Sequence, residues 1–285
     1  MSIEDEIKAS KGYLLKFVRE DIKIPILTID NVARVEAMIY MNSTYSNNSN
    51  EYSGNTSTNH FMRLREIIKQ TNEKSLKDDE NIAKTTIFKI ITTLDNENST
   101  HLNANTTKDA PDEEKGRFKI AKAILELEKE EFVNHLKDIE KSLEPNGLFR
   151  IIENKNTGGR KNTSFASKFC HYACFSLFDD ENKDNYSIYD TVIRMALPVY
   201  IKWHKVNIEN INYKNEYSKI KNVLDKIDYK LYQSVVDAVI KASESDISRN
   251  GFDHLLWYYF KGKNEKEIEE IYNSIDFVKN QNNPE

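Results

Sequence analysis

The sequence predicts an all-α fold on three observations. Glycine and proline are scarce, eight and five in 285 residues, so few tight turns are available for a sheet of many short strands. Apolar residues recur at spacings of three and four through most of the chain. The intervening stretches are polar, as loops between helices are.

Taken in order, Glu4 to Arg19 is expected to be helical, burying Leu14, Leu15, Phe17 and Val18 on one face. A second helix is expected over Asp30 to Met41, with Asp30 as its N-cap. Asn42 to Asn59 follows as a long loop, because fifteen of its eighteen residues are Asn, Ser, Thr or Gly. Helices are expected at Phe61 to Gln70 and Ile82 to Leu94, then a polar loop from Asp95 to Pro111. Asp112 to Leu143 reads as one long helix or two shorter ones, ended by Pro145 and Gly147. Leu148 to Glu153 is a short apolar helix, and Thr157, Gly158 and Gly159 form a turn. Thr163 to Phe178 is the most apolar and aromatic helix. Asp190 caps a helix to Leu197, after which Pro198 either kinks it or opens a new one that runs from Val199 to Lys205. Leu231 to Ser243, Phe252 to Phe260 and Glu265 to Phe277 complete the set. The division expected is a 1–143 helical region with polar insert loops at 42–59 and 95–111, and a 144–285 region carrying the site.

Composition narrows the function classes. Apolar residues make up 39% and charged residues 31%, which suits a charged surface around a modest core. No run approaches the roughly 18 apolar residues of a membrane span, and the start MSIEDEIKAS lacks an apolar signal core. With only Cys170 and Cys174, no disulfide framework is indicated, and a cytoplasmic location without membrane contact is expected. Net charge is −5, against a general nucleic-acid binder. Locally the sign reverses: Lys141 to Phe175 holds six basic residues and only Glu144 and Glu153 as acids. Such a segment can hold a phosphate backbone, although a solvated basic face gives the same pattern.

Two residues in Gly158 to Leu197 can carry chemistry. Lys168 lies early in an apolar helix between Phe165 and Phe169. Desolvation there favours the neutral, nucleophilic amine. Asp190 opens a helix, where backbone N–H groups favour its carboxylate form. An activated amine facing a permanent carboxylate is a workable pair for attack on a glycosidic carbon. Each residue also has a plain structural explanation. Lys168 can reach solvent along its stem, and Asp190 can be an N-cap and nothing more. Cys170, His171 and Cys174 lack a fourth ligand nearby and read as buried free thiols and a histidine, so no metal is expected.

The stretch Ser164-Phe165-Ala166-Ser167-Lys168, followed 22 residues later by Ser187-Ile188-Tyr189-Asp190-Thr191-Val192-Ile193-Arg194, resembles the catalytic core of the helix-hairpin-helix DNA glycosylases, and most the 8-oxoguanine branch. The resemblance covers some forty to fifty residues. It implies a two-lobed helical fold with a helix-hairpin-helix motif near 144–178 and an interlobe cleft. It implies that Lys168 forms a Schiff base with the deoxyribose, that Asp190 is the accompanying carboxylate, and that no cofactor is needed. The partner implied is double-stranded DNA with a flipped-out base. The family places two glycines just before the lysine, whereas this chain has Phe165 and Ser167 there, with Gly158 and Gly159 earlier. The phosphate grip then falls to Arg160, Lys161, Thr163, Ser164 and Ser167, with Arg194, Lys202, His204 and Lys205 further along. The resemblance suggests a damaged purine as target; the departures point as well to a modified base in foreign DNA, a defence rather than a repair role. The competing class is a non-enzymatic helical module that binds DNA or protein.

Overall fold

The computed structural model describes residues 15–19, 22–46, 56–70, 76, 80–98, 102, 111, 115–155 and 161–281. It is all-α, as expected: among the described residues the strands are a single two-stranded pair. The chain forms two compact units, Ser43–Ile188 and a discontinuous one made of Met1–Asn42 with Tyr189–Glu285. This differs from the sequence-predicted division at 143–144.

The discontinuous unit is closed by its N-terminal segment. Residues 15–19 and 22–28 are not helical, contrary to the expectation for Glu4 to Arg19, whose residues 4–14 lie outside the described set. Phe17 pairs with Pro25 in an antiparallel bridge, with Val18 N–H donating to the Ile24 carbonyl and Ile26 N–H to that of Lys16. Fully buried Asn31 clamps this loop: its amide donates to the carbonyls of Lys16 and Ile26, and its oxygen accepts from Lys16 N–H. These bonds give the backbone a non-helical set of partners, and helix propensity loses. The Tyr200 hydroxyl donates to the Pro25 carbonyl, and Phe17 meets Tyr259 edge-on. Both partners lie more than 170 residues away in the chain, which is why a linear boundary misses the unit.

Helix α1 spans Ile29–Ser46, four residues beyond the loop start expected at Asn42. The rest of this unit is α9 (Thr191–Trp203), the β1–β2 hairpin (Asn207–Ile208 and Ile211–Asn212), α10 (Tyr217–Leu224), α11 (Tyr229–Ala242), α12 (Arg249–Phe260) and α13 (Glu265–Gln281). Helix α9 runs through Pro198 unbroken and packs against α10, α12 and α13. Asp228 and Ser248 cap α11 and α12, and Asn264 with Glu267 forms a reciprocal capping box at α13.

The Ser43–Ile188 unit holds α2 (Thr56–Gln70), α3 (Glu80–Asn98), α4 (Gly116–Leu125), α5 (Lys129–Lys137), α6 (Ile139–Leu143), α7 (Leu148–Asn154), α8 (Thr163–Leu177) and a 3-10 turn at Glu181–Asp184. The stretch read as one or two helices, Asp112 to Leu143, is three, because Asp138 takes an extended conformation and caps α6 through the N–H groups of Glu140 and Lys141. The apolar stripes Phe61, Leu64 and Ile67 of α2 and Ile87, Ile90, Ile91 and Leu94 of α3 are buried. Helix α8 packs against α2, α3, α5 and α7, with Phe61 edge-on to Phe169. Arg65 of α2 holds its C-terminal end, donating to the Ser176 carbonyl and pairing with Asp179.

Two consequences are testable. Gly147 lets α7 fold back on α6: a Cβ there would lie 2.2 Å from the Lys141 carbonyl oxygen. Gly147→Ala is expected to cost about 2 kcal/mol, in the range of overpacking a tight site, read as a lower urea midpoint at unchanged slope. The Arg65 hydrogen bond, and after it the Arg65 charge, holds the Asp179 carboxyl below its ordinary range. A lowered folded value means the pair contributes above the unfolded carboxyl's pKa of about 3.9 and that this is lost as pH falls through the lowered value. Urea midpoints of wild type and Asp179→Asn should therefore differ at neutral pH and converge in acid.

Candidate functional site

Helix α8 has almost no wet face near its start. Phe165, Ala166, Ser167, Lys168, Phe169, Cys170 and His171 are all buried, and Lys168 is only 6% exposed. Tertiary packing forces this: α8 has neighbours on α2, α3, α5 and α7, and only further along does it expose a side chain, Phe175.

Several polar groups of this helix bond to protein partners. The Ser167 hydroxyl donates to the Ser164 carbonyl at 3.0 Å. The Thr163 hydroxyl donates to Glu153 Oε1 at 2.6 Å. His171 Nδ1 donates to the Tyr186 carbonyl at 2.7 Å. The Cys174 thiol reaches the Leu136 carbonyl, and burial pushes both the Cys170 and Cys174 thiols up, so they stay protonated. Among the described residues no group of three His, Cys, Asp or Glu side chains is arranged to hold a metal ion.

Asp190 is the N-cap of α9, in extended conformation, accepting from Val192 N–H at 2.8 Å. Its surroundings are tightly built. The Tyr189 hydroxyl donates to the carbonyls of Leu224 and Asp225, and its ring meets Tyr232 edge-on at 4.8 Å. Arg194 pairs with Asp225 and lies over the Tyr189 ring at 4.4 Å. The Tyr232 hydroxyl is pushed well above its ordinary value, first by burial and then by the charge of Asp253, with Asp190 adding in the same direction and Arg194 opposing. Asp253, 1% exposed on α12, is thus a buried carboxylate of the same neighbourhood that sequence reading passed over. Its signal was visible in GFDHLLWYYF, an acid placed within an aromatic helix.

Lys168 and Asp190 fall in different units, Lys168 in Ser43–Ile188 and Asp190 in the discontinuous one. The expected phosphate contacts divide. Lys161 is exposed before α8, and Ser164 is half-buried in its first turn. Lys205 is exposed in the left-handed region, with φ 55°, just after α9. His204 ends α9 with its ring parallel to Tyr200. Lys202, by contrast, is buried, bonded to Asp276 at 2.5 Å and lying over the Tyr272 ring. Arg194, Thr163 and Ser167 also make internal bonds. Arg160 and the expected Thr157-Gly158-Gly159 turn lie outside the described residues. A shallow depression of about 350 Å³ on α5, lined by Glu128, Glu130, Glu131, Asn134, His135 and Lys141, does not include Lys168.

No helix among the described residues is long and apolar enough to cross a membrane. Comparison with known proteins returned no matching family model, no matching curated protein and no matching solved structure.

The capping and chemical roles of Asp190 separate by substitution. Asp190→Ala should cost about 1 kcal/mol of stability, the usual worth of an N-cap. Asp190→Asn keeps a capping oxygen and should melt close to wild type while losing the negative charge. Thermal melts of the two variants side by side check this.

Proposed function

We propose that the chain is a DNA N-glycosylase acting on a flipped-out damaged or modified base, with Lys168 as nucleophile and Asp190 as the carboxylate that stabilises the cationic sugar. The observation that supports this reading above others is the burial of Lys168, 6% exposed, early in an aromatic helix. A surface phosphate contact has no need of such a setting, whereas a nucleophile kept apart from bulk water does. Asp190 is held in place on a helix N-terminus beside well-packed tyrosines, which fixes the direction its side chain takes.

In the proposed reaction Lys168 Nζ attacks C1′. The C1′–N bond breaks with its electron pair passing to the base, which takes up a proton. The amine loses a proton, the sugar ring opens to an imine, and β-elimination can then nick the strand. Lys161, Ser164 and Lys205 are the residues best placed to meet phosphate, since Lys202 and Arg194 are committed to Asp276 and Asp225. A damaged purine is the leading target, and a bulky modified base in foreign DNA is the other.

One observation favours a second reading. Cations expected on DNA turn inward in a chain of net charge −5, as they would in a helical module without catalytic activity.

Borohydride trapping decides between them. Purified protein is mixed with duplexes bearing 8-oxoguanine, uracil, an abasic site or a bulky modified cytosine. The expected result is a covalent adduct with at least one duplex that is lost in Lys168→Gln, while that variant still melts cooperatively. Absence of both adduct and alkali-labile sites leaves the helical module as the better reading. Alkali-labile sites without an adduct indicate a glycosylase in which Lys168 does not attack the sugar.

A further inference from the structure

Glu153 is an acid in the most basic stretch of the chain, and it is 2% exposed. A buried carboxylate is costly unless both oxygens are bonded, and here both are. Oε1 accepts from the Thr163 hydroxyl at 2.6 Å, and Oε2 accepts from Arg150 Nη1 at 2.6 Å. Arg150 is fixed in turn by donating from Nε to the Leu143 carbonyl at 3.0 Å. The Glu153 backbone carbonyl accepts from Asn162 N–H at 2.9 Å. One residue near the end of α7 therefore holds the first residue of α8 by side chain and the preceding residue by backbone.

The position of this tie matters because the α8 N-terminus has no cap of its own. Asn162 stands at the N-cap position and makes no side-chain capping bond. A helix start without such a cap frays unless something else holds it. Lys168 lies five residues after Thr163, little more than one turn along. Fraying at Thr163 would loosen the turn from which the amine projects.

We infer that Glu153, with Thr163 as its partner and Arg150 as its counter-charge, is the positioning residue for Lys168. The inference rests on the glycosylase reading above. It also reassigns Thr163, whose hydroxyl serves the interior of the protein and not a DNA phosphate.

The test uses the full chain with Glu153→Gln, Thr163→Val and Thr163→Ser. Thr163→Val keeps the shape and loses the hydroxyl, so it serves if Glu153→Gln, which leaves Arg150 without its counter-charge, fails to fold. Three quantities are read: the single-turnover trapping rate at saturating abasic duplex, the affinity for that duplex, and hydrogen exchange at the amides of residues 163–168. Thr163→Val is expected to lower the trapping rate about tenfold or more, the scale of a small misplacement of a reacting group. Affinity should change little, exchange at the start of α8 should rise, and Thr163→Ser should restore both. An unchanged trapping rate with faster exchange would overturn the inference, since the bond would then serve stability alone. Unchanged exchange would overturn it as well, because the bond would not be holding the helix. If the wild-type protein forms no adduct with any duplex, the reading of Lys168 as nucleophile fails, whether or not alkali-labile sites form, and this role falls with it; wild-type trapping that survives in the variants isolates failure of the positioning role.

Discussion

Burial of α8 sets the conditions for the Ser43–Ile188 unit. Four helices pack against this one, so its polar groups need protein partners. The partners come from all around it: Glu153 at its start, Tyr186 and Leu136 along its length, Arg65 at its end. The sequence positions of α2, α5 and α7 are constrained as much by these bonds as by their apolar stripes. Charged groups sit at the two ends, Glu153 with Arg150 at one and Arg65 with Asp179 at the other, where they meet backbone and side-chain groups the helix cannot satisfy internally.

The discontinuous unit solves a related problem differently. Its described residues between 15 and 28 form one isolated bridge and no helix, yet Leu15, Ile22, Ile24 and Leu27 are buried. Asn31 makes this possible by supplying three hydrogen bonds to the backbone of Lys16 and Ile26. Gly251 lets α1 come close to α12, because a Cβ there would lie 2.9 Å from a Val32 methyl.

Most helices were legible because their apolar stripes are local. The periods at Phe61 to Gln70, Thr163 to Phe178 and Phe252 to Phe260 all correspond to helices in the structure. Helix α10 was missed because only Tyr217, Ile220 and Leu224 are buried in it and its surroundings are polar. The β1–β2 hairpin is two residues per strand, too short to show an alternation. Leu15, Phe17 and Val18 suggested a helix, and only the bonds from Asn31, with the return of the chain at Pro25, decide otherwise. At the candidate site the residue types were legible and their commitments were not. Nothing local to Lys202 announces Asp276, 74 residues on, and nothing local to Arg194 announces Asp225. The clamp at Glu153 was hidden for the same reason: an acid in a basic stretch reads as surface until its burial is seen.

The interruption of one unit by the other has a consequence for how the chain comes into being. Synthesis runs from the N-terminus, so Leu15, Ile24, Leu27 and Val35 leave the ribosome long before Tyr200, Phe252 and Tyr259, which lie in the remainder of their unit. All of Ser43–Ile188 must be made in between, an interval of roughly seven to thirty seconds at ordinary elongation rates. That middle unit has its contacts within one continuous stretch and can fold as soon as it emerges. The first segment must wait until the last third of the chain arrives, its apolar side chains without the partners they meet in the finished unit.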